Sequence, residues 1–268
     1  MRPEARRVTA FAQRYGPWAA VLGAAQGIGL AFAHEISRRG LNVLLLDVRE
    51  DLLTQALRDV AAGAPGIELR AMCIDLAAPD VATRLEAIDV ELGLVVYTAM
   101  LARVGPFLDE KLERHETALH VGCRGALAAA HVLGRRLVAR GRGGLILTSS
   151  GAGFQGTGWV AGYSACKAFD LALAEALWWE WKPHGVDVLA LCPGSTATPG
   201  MLGNRPRLAA DAMARPEDVA REALDALGGG PVCIPGEENR RVRAALDKLP
   251  RAKLVEVMGE NTRKLFES

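Results

Sequence analysis

The feature that most constrains this chain is a set of short runs that are apolar at nearly every position: PWAAVLG (17–23), LNVLLLD (41–47), GLVVYTA (93–99), GLILTS (144–149) and DVLALC (187–192). A strand with one wet face alternates apolar and polar residues; a strand apolar throughout is covered on both faces, as in a parallel sheet. Two further runs, IELRAMCID (67–75) and PVCIP (231–235), complete about seven strands. Between the runs, apolar residues recur at helical spacing. Ile28, Phe32 and Ile36 form one such stripe, with Glu35, Arg38 and Arg39 on the other side and Gly40 as the stop. The pattern predicts further helices at about 50–61, 108–139, 162–182 and 217–227. Strand and helix alternating along the whole chain means an α/β fold with a doubly wound parallel sheet and helices on both faces. No repeat, low-complexity tract or linker interrupts it, so residues 1–268 read as a single domain. Its core spans about 17–235, and a charged helical tail (236–268) packs across the body or serves assembly.

Composition narrows the partners. Half of the 268 residues are hydrophobic, which at this length builds a core without disulfides or metals. The 32 basic and 31 acidic side chains leave a net charge of +1, which gives no reason to expect nucleic acid. Five cysteines, at 73, 123, 166, 192 and 233, form an odd set with no C-x-x-C spacing. They point to a reducing, cytoplasmic compartment. The histidines and carboxylates show no metal-ligand spacing, so no metal is expected. The N-terminal lead lacks the apolar run of a signal peptide, and no stretch approaches the ~20 apolar residues of a membrane span.

Between the first strand and the first helix stands G-A-A-Q-G-I-G, with Gly23, Gly27 and Gly29. A glycine pattern is informative when it opens a helix directly after a strand, as here. Gly23 permits the tight turn, Gly27 lets backbone approach a pyrophosphate, and Gly29 lets helix and strand pack closely. The helix N-terminus adds free N–H groups and a positive dipole end. Gln26 and Ile28, inside the turn, belong to the same cofactor-binding set. Asp47 closes the second strand, eighteen residues after Gly29. A carboxylate there accepts bonds from a ribose diol and repels a 2′-phosphate, which favours NAD over NADP. Arg49, two residues on, softens that preference. Asp75 and Leu76, at the end of the third strand, are plausible neighbours of the adenine.

Residues 162–169 read GYSACKAF. Tyr163 and Lys167 are four apart, so on a helix they share a face. A phenol titrates near ~10 and does little acid–base work at neutral pH unless a neighbouring cation favours its phenolate. Alone, this spacing is common on solvated helix faces. In sequence with the glycine turn, with Ser150 thirteen residues ahead of Tyr163, and with Pro193-Gly194 and Thr198 in a P-G-x-x-x-T pattern, it is not.

This constellation resembles the short-chain dehydrogenase/reductase family over nearly all of residues 17–235. The resemblance implies that Ser150 orients the substrate oxygen and that Tyr163 exchanges its proton. It implies that Lys167 lowers the tyrosine pKa and holds the nicotinamide ribose. Pro193 and Gly194 would line the nicotinamide pocket, and Thr198 would bond the cofactor. The N-terminal half, with its W-A-x-V-x-G opening, is similar to the long-chain 3-oxoacyl-CoA reductase and 17β-hydroxysteroid dehydrogenase branch. That similarity implies a bulky apolar alcohol or ketone: steroid-like, aromatic or long-chain acyl.

Three departures from the family pattern stand out. Tyr97-Thr98-Ala99-Met100 replaces the usual Asn-Asn-Ala-Gly, Gly122 replaces a catalytic asparagine, and Leu22 replaces a threonine. The asparagine normally holds a water in the proton relay from lysine to solvent. Gly122 either leaves space for an extra water or impairs the relay, and Tyr97 and Met100 bring larger side chains toward the cofactor. Phe154 and Trp159 wall a substrate pocket or simply pack, and residues 195–213 correspond to the family's substrate lid. Trp178, Trp179 and Trp181, on the tyrosine's helix, belong to a subunit interface or to the core. The first makes the chain a homodimer or homotetramer. Together these features predict an NAD-dependent oxidoreductase acting on a secondary alcohol or ketone. The alternative is a nucleotide-binding regulatory or interaction subunit with weakened catalysis.

Overall fold

The computed structural model describes residues 10–204 and 206–267. The first nine residues, on which part of the signal-peptide argument rests, lie outside the described residues, as do Arg205 of the expected lid and Ser268 of the tail. Seven parallel strands form one sheet: β1 (Trp18–Leu22), β2 (Asn42–Asp47), β3 (Leu69–Cys73), β4 (Leu92–Tyr97), β5 (Gly143–Thr148), β6 (Val186–Leu191) and β7 (Val232–Cys233). They lie in the order β3-β2-β1-β4-β5-β6-β7. The chain starts in the middle and winds outward twice, so connections leave β1 and β4 in opposite directions. The crevice at that switch point is where such sheets take ligands. Register sharpens it: Leu22 pairs with Leu46 on one side and with Tyr97 on the other, which brings three strand ends level.

The apolar runs are explained by the two cores they serve. Alternate residues of each central strand point to opposite faces. Ala19, Val21, Val43, Leu45, Leu94 and Val96 pack beneath α1 (Gly27–Arg38), α2 (Glu50–Gly63) and α8 (Pro216–Ala226). Ala20, Leu22, Leu44, Leu46, Val95 and Tyr97 meet α3 (Val81–Glu86), α5 (Ala126–Arg140) and α6 (Ala161–Trp181) on the other face. The predicted stripe of α1 buries Phe32 and Ile36 completely, each contributing roughly 1.5–3 kcal/mol of transfer free energy.

The helix expected over 108–139 is not one helix. It begins at α4 (Leu112–Leu119), widens into a π-helical turn over His120–Gly125, and resumes as α5. A π turn leaves a backbone group without its usual partner, and here the Tyr97 hydroxyl donates to the Val121 carbonyl. That bond corrects the expectation for Tyr97, whose ring is buried in the core rather than set against the cofactor. Among its described residues the expected lid contains a short α-helix, α7 (Pro199–Gly203), capped by the Thr198 hydroxyl, and a 3-10 turn over Ala210–Ala212.

The tail folds back as α9 (Glu237–Leu246) and α10 (Arg251–Phe266). Arg243 donates to Gln155 at 2.9 Å and Arg251 to the Phe154 carbonyl at 3.0 Å, while the Arg207 amide donates to the Leu265 carbonyl at 2.8 Å. The tail therefore packs across the body, against the segment that follows Ser150. No described helix is long and apolar enough to cross a membrane.

Candidate active site

The glycine turn shows why each glycine is there. Gly23 has φ +90°, a backbone state that side chains disfavour. At Gly29 the constraint is space. A Cβ there would lie 2.0 Å from the Gly23 carbonyl oxygen, so only hydrogen lets α1 start so close to β1. The first turn of α1 has no side-chain cap, which leaves its N–H groups free for an anion. They face a cavity of about 540 Å³ lined by Gly23, Gln26, Gly27, Ile28, Gly29, Asp47, Asp75, Leu76 and Thr198. Nine of the expected cofactor residues thus share one crevice at the switch point. Arg49, Thr98 and residues 99–103 also line it.

Asp47 is buried, and its carboxylate is held on two sides. One oxygen accepts the Ala25 amide at 3.0 Å, and the other accepts the Arg49 amide at 3.1 Å and its Nε at 3.2 Å. The acid is thereby tied to the glycine turn itself. Thr98 compensates for part of the altered stretch after β4: its hydroxyl bonds the Leu22 carbonyl at 2.9 Å and the Gly23 carbonyl at 3.1 Å. An uncapped helix start, a glycine cradle and an acid beyond β2 fit a dinucleotide.

Ser150, Tyr163 and Lys167 come from β5 and α6, which pack together. Ser150 follows β5, and its oxygen accepts the Ala152 amide at 3.2 Å, so its own proton is free to be donated. The neighbouring Ser149 donates to the Lys167 carbonyl at 2.6 Å and ties strand to helix. Lys167 is fully enclosed. Its Nζ lies 5.9 Å from the centre of the Tyr163 ring and donates to the Thr148 carbonyl at 2.6 Å and to Asp170 at 2.9 Å. Burial works against its ammonium, but the charges of Asp170 and Tyr163 outweigh that and hold its pKa above the usual lysine value. Asp170 was not among the residues expected from the sequence. No motif marks it, and only its place one turn beyond Lys167 hints at it.

Tyr163 also walls a second cavity of about 280 Å³, with Leu101, Val104, Phe107, Ala118 and Trp159. Leu101 and Arg103 border both cavities, so the two adjoin. Trp159, whose role was open, lines this second cavity with a backbone φ of 67°, held where its carbonyl accepts the Gly105 amide at 2.8 Å. Phe154 instead stacks beneath Arg243 of the tail, 4.8 Å from ring centre to guanidinium carbon. Pro193 and Gly194 stand outside the residues lining either cavity. The Pro193 carbonyl accepts the Gly151 amide, and Gly194 abuts Asn239 of α9.

The space at Gly122 is taken. A Cβ there would stand 2.7 Å from the Met100 sulfur and 3.1 Å from Cys166 Cβ. The two departures, glycine for asparagine and methionine for glycine, therefore fit each other, and the expected room for an extra water is filled by a thioether. No group of histidine, cysteine and carboxylate side chains among the described residues is arranged to hold a metal, and all five cysteines are free thiols.

Comparison with known proteins agrees with this geometry. Residues 17–207 match the short chain dehydrogenase family. A 7beta-hydroxysteroid dehydrogenase of Clostridium sardiniense is 32% identical over 254 residues, covering 93% of this chain and 97% of that one. A 1-deoxy-11-beta-hydroxypentalenate dehydrogenase of Streptomyces exfoliatus is 35% identical over 234 residues, 84% of each chain. A solved structure from a study of 7beta-hydroxysteroid dehydrogenase stereoselectivity superposes with a TM-score of 0.84 at 29% identity, over 92% of this chain and 98% of that one. The branch suggested by the N-terminal half matches less completely: a very-long-chain 3-oxoacyl-CoA reductase of Podospora anserina is 28% identical over 65% of this chain and 53% of its own length. With the glycine crevice, the serine, tyrosine and lysine, and a family match over most of its length, this chain belongs to the short-chain dehydrogenases, oxidoreductases that work with a nicotinamide dinucleotide.

Proposed function

We propose that this chain, as one dinucleotide-binding and catalytic unit, moves hydride between NAD and a hydrophobic secondary alcohol or ketone. The observation that carries the reading is the position of Tyr163. Its ring stands between a buried lysine and a cavity that adjoins the dinucleotide crevice, walled by Leu101, Val104, Phe107 and Trp159 with Arg103, Asp109, Glu110 and His115 also on its lining. Ser150 holds the substrate oxygen through its free hydroxyl proton. Tyr163 gives a proton to that oxygen in ketone reduction and takes it back in alcohol oxidation. Lys167 spends two of its three N–H bonds on Thr148 and Asp170, which leaves one for the nicotinamide ribose. The nicotinamide, when bound, supplies or accepts the hydride at the substrate carbon. The aromatic and aliphatic part of the wall favours a bulky, largely apolar substrate, and Arg103, Asp109, Glu110 and His115 offer polar contacts to its substituents. The names of the relatives, a hydroxysteroid and a hydroxypentalenate dehydrogenase, make a steroid-like alcohol the first class to try. Aromatic and long-chain acyl ketones follow. Turnover of a panel of such alcohols with NAD tests the reading, and a panel without turnover in either direction removes it.

NAD is favoured because Asp47 reaches the crevice as a buried carboxylate, although Arg49 leans on it. Asp47→Ala removes the ribose acceptor and frees the Arg49 guanidinium. It is expected to raise the KM for NAD by about tenfold, the loss of roughly 1.4 kcal/mol, and to lower that for NADP. Steady-state kinetics with both cofactors measure it, and an unchanged ratio takes Asp47 out of the specificity.

The free thiols suit a reducing, cytoplasmic setting. The outer face of α5 and α6 suits a homodimer or homotetramer. Leu127, Leu173, Leu177 and Trp181 line an open groove between the two helices, and Trp179, elsewhere on α6, is 73% exposed. Sedimentation velocity distinguishes these assemblies from a monomer. The filling of the Gly122 position by Met100 supports the other reading, a nucleotide-binding regulatory subunit. Tight cofactor binding with no turnover on the panel would favour it.

A further inference from the structure

The structure assigns Asp170 a role as the positioning residue and charge partner of Lys167, which sets the pH at which Tyr163 gives up its proton. This rests on the reading of Tyr163 and Lys167 above. Asp170 is 1% exposed, one turn beyond Lys167 on α6, and one of its oxygens accepts from Nζ at 2.9 Å. Its second oxygen is buried without any protein partner, as is the hydroxyl of Thr148, the residue whose carbonyl accepts the other Nζ bond. A buried carboxylate is rarely left half-satisfied unless a charge holds it there. Removing one partner of such a pair is costly, whereas an apolar pair of similar size would often serve stability as well. Packing alone therefore gives little reason for a carboxylate at this position.

The electrostatics give a reason. An isolated ammonium beside Tyr163 would pull the phenol toward phenolate. With Asp170 bound to it, Lys167 belongs to a neutral pair, and its pull on the phenol is reduced. The other titratable groups around the pair are Cys166 on α6, Tyr97 at the end of β4, Cys123 in the π turn and Cys192 after β6. None of these is a carboxylate, so Asp170 supplies the negative charge that touches Lys167; burial raises its own pKa, and the ion pair with the Lys167 ammonium is what favours its carboxylate. The position where a water relay would run is occupied, because Met100 and Cys166 fill the space beside Gly122. The consequence is a site in which the Lys167 ammonium pulls less on the Tyr163 hydroxyl proton, the proton that ketone reduction uses.

The sign follows from counting protons. Alcohol oxidation needs the tyrosine and lysine to hold one proton fewer than their resting complement. A fixed negative charge opposes that loss from either group, so removing the charge eases it. Asp170→Asn, which keeps the shape, is expected to move the Tyr163 titration to lower pH by about one pKa unit or more, on the order of a tenfold change in the ionisation constant. Tyrosinate absorbance reads this directly on the whole protein, with a Tyr163→Phe preparation as blank. The chain has only three tyrosines, which makes the difference spectrum tractable. The midpoint of the pH profile for alcohol oxidation should move by the same amount.

Asp170→Ser, smaller and neutral, gives a second reading if the asparagine variant does not fold. Asp170→Glu restores the charge and should bring the midpoint back toward wild type. A midpoint that stays put or rises in the neutral variants, with only kcat or thermal stability reduced, overturns the role and leaves Asp170 a packing residue. The absorbance titration needs no substrate, so it separates the two ideas. A shifted midpoint without turnover on any alcohol keeps the Asp170 role and discards the oxidoreductase reading. Turnover with an unmoved midpoint does the reverse.

Discussion

Replacing Tyr163 by phenylalanine is expected to lower kcat/KM by about a thousandfold or more, while NADH binds within about twofold of wild type. The ring stays, so the wall of the apolar cavity and the contact over Lys167 are kept. What is lost is the hydroxyl that the proposed reading assigns to proton exchange with the substrate oxygen. General acid–base catalysis by a positioned side chain is worth typically ~10²–10⁴-fold, and of the titratable residues that line the cavity Tyr163 is the one with Lys167 over its ring. Steady-state turnover on the best alcohol of the panel, together with NADH fluorescence, gives both halves of the result. Activity near wild type would mean that the proton moves by another route and that Tyr163 is a wall only. A parallel loss of NADH affinity would mean that the substitution has disturbed the crevice, which its half-buried position and unchanged ring argue against.

Gly29→Ala tests the other half of the site and involves no acid–base chemistry. A methyl group at this position would meet the Gly23 carbonyl oxygen at 2.0 Å and the Thr98 hydroxyl at 2.7 Å. The first is backbone, held in place because the Gly23 amide donates to the Leu46 carbonyl at 2.8 Å. It has nowhere to retreat, so α1 must move away from β1 and carry its free N–H groups off the pyrophosphate position. NADH binding should weaken by more than about a hundredfold, roughly 3 kcal/mol, and overpacking should lower stability by about 1–3 kcal/mol. Calorimetric titration and a thermal scan measure the two effects. Gly156→Ala is the control, because a Cβ there meets nothing within 4 Å, and neither quantity should change. Equal effects at both positions would show that the close approach of helix to strand does not matter.

The two substitutions also divide what was legible in the sequence. The strand runs, the helical stripe of α1, the glycine turn and the serine–tyrosine–lysine order are local or regularly spaced features. They carry fold class and cofactor site because backbone period and steric space act over a few residues. Ends of elements came within two or three residues for most strands. The long helix before β5 did not, because its π turn depends on the Tyr97 hydroxyl reaching the Val121 carbonyl from another strand. No pattern within 108–139 records that bond.

The remaining differences have the same cause. Tyr97 and Met100 read as neighbours of the cofactor because they follow β4 at the crevice. Strand alternation sends Tyr97 into the core instead, whereas Met100 lines the crevice and fills the position beside Gly122. Phe154 and Trp159 stood equal in the sequence; the tail took one under Arg243, and the 105 loop set the other against Tyr163. Asp170 lay three residues from a recognised lysine and carried no signal, since an acid on a helix is usually solvated. By itself, the sequence determined the sheet and marked out the crevice and the trio proposed for proton transfer, whose physics is written in short-range spacing. Only the tertiary structure decided what surrounds that trio. Burial, and therefore the strength of every charge near Lys167, is a property of which distant segments pack over it.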